Sequence, residues 1–167
     1  MKNDFALHEG TFADRAVLDR LAELYLYDYS EFDGYDVDAH GLYRFDDLDY
    51  YWLEKTREVL LFKVNQHWAG FALISEDVLH PQSQRCINDF FILRKYRRQG
   101  IGAQAANCIF ARTPSAWEVC MLPNNLPAQA FWRKTIAAAS NGAWQEQQID
   151  NDDWRGPLMW FDNRPQT

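Results

Sequence analysis

Dense apolar blocks along this chain are separated by short polar interruptions. Val59 to Val64 and Trp68 to Ser75 read as strands, with Asn65-Gln66-His67 as the turn of a hairpin. Cys86 to Leu93 and Trp117 to Leu122 read as two further strands. Phe5 to His8 predicts an opening strand, and Ala143 to Ile149 with Pro157 to Phe161 predicts a closing pair. Elsewhere the spacing is helical. Val17, Leu18, Leu21, Leu24 and Tyr25 place a helix after the caps Thr11 and Asp14, running to about Tyr27. A loop with Gly34 and Gly41 follows, then a short helix at Leu48 to Glu54. Two more helices are predicted, from Ala103 to about Arg112 and from Asn125 to about Ala138. Strands and helices alternate in the second half, so the fold class is α/β (α+β) with a mixed sheet.

The link between the strand ending at Leu93 and the next helix carries the strongest chemical signal. It reads Arg97-Arg98-Gln99-Gly100-Ile101-Gly102. Glycines let a ligand approach the backbone closely, and a helix N-terminus turns unpaired N–H groups and partial positive charge outward. Neighbouring arginines add forked donors suited to phosphate oxygens. Taken alone, the turn is either a phosphate cradle or a structural link. It is not a P-loop, because no Gly-x-x-x-x-Gly-Lys-Ser/Thr is present. Ala105 stands where the third glycine of a dinucleotide fingerprint belongs.

The segment Asp89 to Ala103 resembles the acyl-CoA-binding motif of the GNAT acetyltransferase superfamily, Arg/Gln-x-x-Gly-x-Gly/Ala, with Arg97, Gly100 and Gly102 at its fixed positions. Downstream, Asn125-Leu126-Pro127-Ala128-Gln129-Ala130-Phe131-Trp132 is similar to the family's Asn-x-x-Ala-x-x-Phe-Tyr segment. The two matches come in family order with a strand-like run between them, and the resemblance spans roughly Val59 to Ala138.

That resemblance implies a mostly antiparallel central sheet flanked by helices, with two strands splayed to hold acyl-CoA. It implies movement of an acetyl group from acetyl-CoA to a primary amine by direct transfer. Length predicts one domain over residues 1–167, and the scattered histidines lack metal-ligand spacing, so no metal is expected. Backbone groups of Phe91, Ile92 and Leu93 would pair with pantetheine amides. Backbone N–H groups of Arg98, Gln99, Gly100, Ile101, Gly102 and Ala103 would hold the pyrophosphate beside Arg97, and Asn125, Ala128, Phe131, Trp132 and Lys134 would flank the rest of the cofactor. Asp89 falls where the family often has an acidic residue, and a carboxylate among apolar neighbours suits a base for the incoming amine; a structural carboxylate that caps a turn or pairs with an arginine is the alternative. Many relatives carry a tyrosine at position 132 that protonates the leaving thiolate. Indole cannot do so. Trp132 therefore keeps a second reading open, a catalytically weak or inactive acyl-CoA-binding module.

Charge adds an expectation about the acceptor. Residues 28–54 hold Asp28, Glu31, Asp33, Asp36, Asp38, Asp46, Asp47, Asp49 and Glu54 against Arg44, within a tyrosine-rich stretch. In the family this region walls the acceptor site, and Tyr29, Glu31, Tyr35 and Asp36 are its candidate contacts. An acidic, aromatic wall suits a cationic small-molecule or peptide amine. A solvated acidic loop is the alternative. The net charge of −7 argues against nucleic acid. No run of the 167 residues is long enough for a membrane span or a signal peptide, so a cytoplasmic location is expected. Cys86, Cys108 and Cys120 lack metal-like spacing and read as buried thiols. A homodimer is compatible with the resemblance.

Overall fold

The structure, a computed structural model, describes residues 3–165. It is built on a sheet of β1 (Phe5–Glu9), β2 (Arg57–Val64), β3 (His67–Ser75), β4 (Arg85–Ile92), β5 (Ala116–Cys120), β6 (Trp144–Asp150) and β7 (Arg155–Asp162). The spatial order is β1-β2-β3-β4-β5-β7-β6, antiparallel throughout except for the parallel β4–β5 pair. The helices are α1 (Arg15–Asp33), α2 (Tyr50–Leu53), α3 (Ile101–Arg112) and α4 (Leu126–Ala139).

The middle of β2 and most of β3 are apolar because both faces of the sheet are covered there. Leu60, Phe62 and Ile74 pack under α3 and α4 with Ile109, Phe110, Trp132 and Ile136. On the opposite face Leu61, Phe71, Leu73 and Phe91 meet Leu18, Leu21 and Ala22 of α1 and Tyr51 of α2. Successive side chains of a strand point to opposite faces, so one apolar run feeds both cores.

The predicted hairpin is present, but His67 belongs to β3. Asn65 and Gln66 alone form the turn, both with positive φ (49° and 67°), as the twist of a two-residue hairpin demands. Helix α1 runs six residues past the expected end at Tyr27. Its true stop is the C-cap Gly34 after Asp33, whose N–H bonds Ser30 O at 3.0 Å. Asp28, Ser30, Glu31 and Asp33 interrupt the apolar spacing, so periodicity alone ended the helix too early.

Gly70 sets the β3–β4 spacing. A Cβ there would lie 1.9 Å from Phe91 O, a backbone atom that cannot step aside. Gly70→Ala is expected to cost on the order of 3 kcal/mol, read as a lowered denaturation midpoint in urea. An unchanged midpoint would mean that β3 and β4 do not approach this closely.

Candidate active site

The site begins where β4 leaves β5. Their pairing covers only Arg85–Ile87 against Trp117–Val119, although β4 continues to Ile92. Two features separate them. On its other edge β4 carries a bulge: Leu73 pairs with Asp89 and Ile74 with Ile87, leaving Asn88 as the extra residue. A bulge bends and twists its strand. Beyond β5, Met121 follows β7 instead of β4: its N–H bonds Pro157 O at 3.0 Å, and its carbonyl lies where a Cβ on Gly156 would come within 2.4 Å. The result is a fork that opens into a cleft of about 770 Å³.

Asp89 stands in this fork and lines the cleft. The residue keeps an opening to the cleft while protein encloses its carboxylate on the other sides. Burial pushes its pKa up to about 6, with the Tyr25 hydroxyl pulling the other way. Tyr25 packs edge-on against Phe71 and Phe91, with Tyr29 one helical turn on, 5.3 Å between ring centroids. Burial first, and the Asp89 charge second, keep both tyrosine hydroxyls protonated well above their ordinary value. Composition hid Tyr25 among the helix's apolar positions. Its i,i+4 spacing to Tyr29 was the readable sign of a shared face.

A second carboxylate in the cleft has a different role. Glu118, fully buried, accepts Leu79 N–H at 2.7 Å and His80 N–H at 2.9 Å, one on each oxygen. It anchors the β3–β4 connection and has no oxygen to spare. Nothing in the sequence marked it for that task. Cys86 and Cys120 also border the cleft. Burial raises both thiols, Cys120 to about 12 with Glu118 adding to it, so neither is a thiolate near neutral pH.

The glycine turn lies at the end of β4. Arg98 (φ 60°) and Gly100 (φ 80°) both take left-handed conformations, and Gly100 caps α3. N–H groups in the first turn of α3 lack intrahelical partners and converge outside the loop. The side chains divide in a way the sequence did not foretell. Arg97 turns inward: its Nε donates to Ile92 O at 2.7 Å and its Nη2 to Asp28. Its fork is thus engaged within the protein in this structure. Gln99 is also occupied, donating to Lys95 O at 2.6 Å. Arg98 is exposed, with no ion pair among the described residues. Phe91, Ile92 and Ile101 bury their side chains, so a ligand could meet only their backbone groups, of which the Ile92 carbonyl already accepts from Arg97. Gly102 and Ala103 stand in the first turn of α3.

On the far wall, Asn125 caps α4 by accepting Ala128 N–H at 3.1 Å, and both residues line the cleft. Phe131 stacks on Phe90 at 5.7 Å, and its ring edge would lie 3.2 Å from a Cβ on Gly102, which joins the two helix N-termini. Trp132 is 4% exposed, wedged edge-on between Phe90 and Phe131. Lys134 is exposed and outside the cleft lining.

Three of the four expected acceptor contacts, Tyr29, Tyr35 and Asp36, line the cleft. Glu31 does not: it is exposed on another face of α1. Asp38 lines the rim but is spent within the loop, where it accepts from Arg44 Nε at 2.7 Å and from the N–H groups of His40 and Leu42. Trp154 borders the cleft from the β6–β7 turn, with its indole nitrogen buried and unpartnered. No sequence signal placed it there. Among the described residues no helix is long and apolar enough to cross a membrane.

The mixed sheet, forked between its parallel strands and followed by a glycine turn, matches the fold of solved acetyltransferases. The family described as "Acetyltransferase (GNAT) family" matches residues 18–136. The chain belongs to that family, and the match begins well ahead of the motif-bearing part, within α1. Solved structures align over nearly the whole chain. An acetyltransferase from Thermus thermophilus is 16% identical, with 93% of this chain and 94% of that one covered and a TM-score of 0.69. The ribosomal-protein-S18-alanine N-acetyltransferase from Escherichia coli is 10% identical, with coverages of 98% and 97% and a TM-score of 0.63. A GNAT family acetyltransferase from Elizabethkingia anophelis with acetyl-CoA bound is 13% identical, with coverages of 96% and 99% and a TM-score of 0.54. Identities this low speak for the fold alone. No curated protein matches the sequence significantly.

Proposed function

We propose that residues 1–167 act as one catalytic domain that transfers an acetyl group from acetyl-CoA directly to a primary amine, with preference for a cationic acceptor. The observation that carries this reading is the position of Asp89 inside the β4–β5 fork, between unpaired strand edges and the acidic rim. Unpaired backbone groups of β4 past Asn88 suit an extended, amide-bearing arm, added as a strand adds to a sheet edge. The first turn of α3, with Arg98 beside it, suits a pyrophosphate.

Acetyl-CoA supplies the activated thioester carbonyl. The protein must supply a free amine beside it. A primary ammonium near pKa ~10 and an ordinary aspartate near ~4 are roughly six units apart, a steep proton transfer. With Asp89 at about 6, that gap narrows. Two units correspond to about 3 kcal/mol. Asp89 therefore takes the ammonium proton, directly or through water. The high thiol pKa values of Cys86 and Cys120 favour direct transfer over an acyl-cysteine route. With Trp132 in the place of a tyrosine, water protonates the departing thiolate.

Trp132 also supports the second reading, a module that binds acyl-CoA without turnover. Thermal-shift titration with acetyl-CoA, CoA and ATP tests the shared part: stabilisation by the first two alone is expected. Thiol release with a panel of amines separates enzyme from binder, and no release with any amine would leave only the binder.

At the rim, Asp36 is exposed beside Tyr35. A diamine is expected to lose about threefold more kcat/KM than a monoamine between low and roughly 0.5 M salt, because screening weakens exposed attraction. Asp36→Asn should shrink that difference. Asp38→Asn would instead loosen the loop that Asp38 ties together. Equal salt dependence for both amines would make the rim a solvated surface.

A further inference from the structure

The glycine turn is held in a conformation its own residues do not favour. Arg98 is a non-glycine residue in the left-handed region, two residues before Gly100. Such conformations persist where the surroundings over-determine them. The turn is tied down from three sides. Arg97 Nε reaches back to Ile92 O at 2.7 Å, and Gln99 Nε2 to Lys95 O at 2.6 Å. The third tie comes from another part of the fold. Asp28, on α1, accepts Arg94 Nε at 3.0 Å and Arg94 Nη2 at 2.7 Å on one oxygen, and Arg97 Nη2 on the other. Its side chain is 17% exposed. Burial alone would raise its pKa, but the two arginines hold it below the usual carboxylate range, so it stays charged.

We propose that Asp28 is a positioning residue for cofactor binding: it grips Arg94 and Arg97 together and so keeps the N–H groups of the glycine turn aimed at the pyrophosphate. This rests on the acetyl-CoA reading of the site. A carboxylate near a pyrophosphate site would ordinarily repel the ligand. Its grip on two arginines is what converts it from a repulsive charge into a brace.

The two effects have opposite signs, which makes the test sharp. Asp28→Asn removes a negative charge and frees two arginines, so electrostatics alone predicts tighter CoA binding. Loss of the brace predicts weaker binding, with CoA Kd about tenfold higher by calorimetry. The loss should follow the pyrophosphate. With Asp28→Asn, kcat/KM should fall about tenfold more for acetyl-CoA than for S-acetylpantetheine, which lacks it. Equal or tighter CoA binding would overturn the proposal, and so would equal losses with both donors, which would indicate a general role in α1. If Asp28→Asn does not fold, Arg97→Lys keeps the charge but loses the fork, and the same bias against acetyl-CoA is expected; its absence would overturn the proposal. Wild-type protein that fails to bind CoA would remove the acetyl-CoA reading itself.

Discussion

Asp89→Asn is expected to lower kcat/KM by about a hundredfold or more while making the protein more stable at neutral pH. The kinetic part follows from removing the base: a positioned general base contributes about 10²–10⁴-fold. CoA affinity should hold, since Asp89 is proposed to serve the acceptor amine. The acidic limb of the wild-type pH–rate profile, rising through about 6, should disappear with the carboxylate. The stability part follows from the direction of the shift. The folded protein holds the Asp89 proton to about 6, whereas the ordinary value is 3.8. Between those values the folded state binds more protons than the unfolded one, so this group costs stability as pH rises through that window. Above it the wild type carries the full penalty, on the order of 2 kcal/mol after allowance for its opening to the cleft. Asparagine carries none. Denaturation at about pH 7.5 should therefore show the variant to be the more stable, with the difference closing toward about pH 4. A variant that is less stable near neutral pH, or that turns over normally, would place Asp89 among structural carboxylates such as Glu118.

The second large effect is expected at the glycine turn. Gly100 has φ 80°, and a Cβ built there meets nothing within 4 Å. Aspartate is among the side chains that tolerate the left-handed region best, at a cost of about 1 kcal/mol. Gly100→Asp should thus fold. Its carboxylate would sit at the N-terminus of α3, where the pyrophosphate is proposed to lie, and CoA affinity should fall about a hundredfold or more. Gly100→Ala separates strain from charge, and a much smaller loss is expected. Calorimetric titration with CoA, beside a thermal melt, reads both variants. Unchanged affinity in a folded Gly100→Asp would move the pyrophosphate away from this turn.

Much of this site was readable along the chain because its parts are local. Strand, glycine turn and helix from Cys86 to Arg112 are consecutive, and backbone conformation at Gly100 depends on the residue that occupies it. The hairpin turn was nearly legible for the same reason, although His67 belongs to β3 and an unforeseen bulge beside Phe62 and Lys63 shifts the register. The family match to residues 18–136 agrees with the reading drawn from these segments and their order.

Side-chain roles at long range were not legible. Arg97 matches its motif position, yet its guanidinium turns to Ile92 O and to a carboxylate 69 positions away. Among the acidic residues of 28–54, composition could not tell Asp36, left at the cleft rim, from Asp38, consumed by its own loop, or Glu31, turned to another face of α1. Glu118 looks in sequence like any strand residue, and only the connection folded over it shows that both oxygens are committed. Local pattern settles which elements form and in what order, because backbone preference and apolar spacing act within a few residues. Which charges remain free is settled by partners that meet only when the sheet closes. The cost of leaving a buried polar group unpaired then commits some carboxylates to structure and leaves Asp89 facing the cleft with a raised pKa.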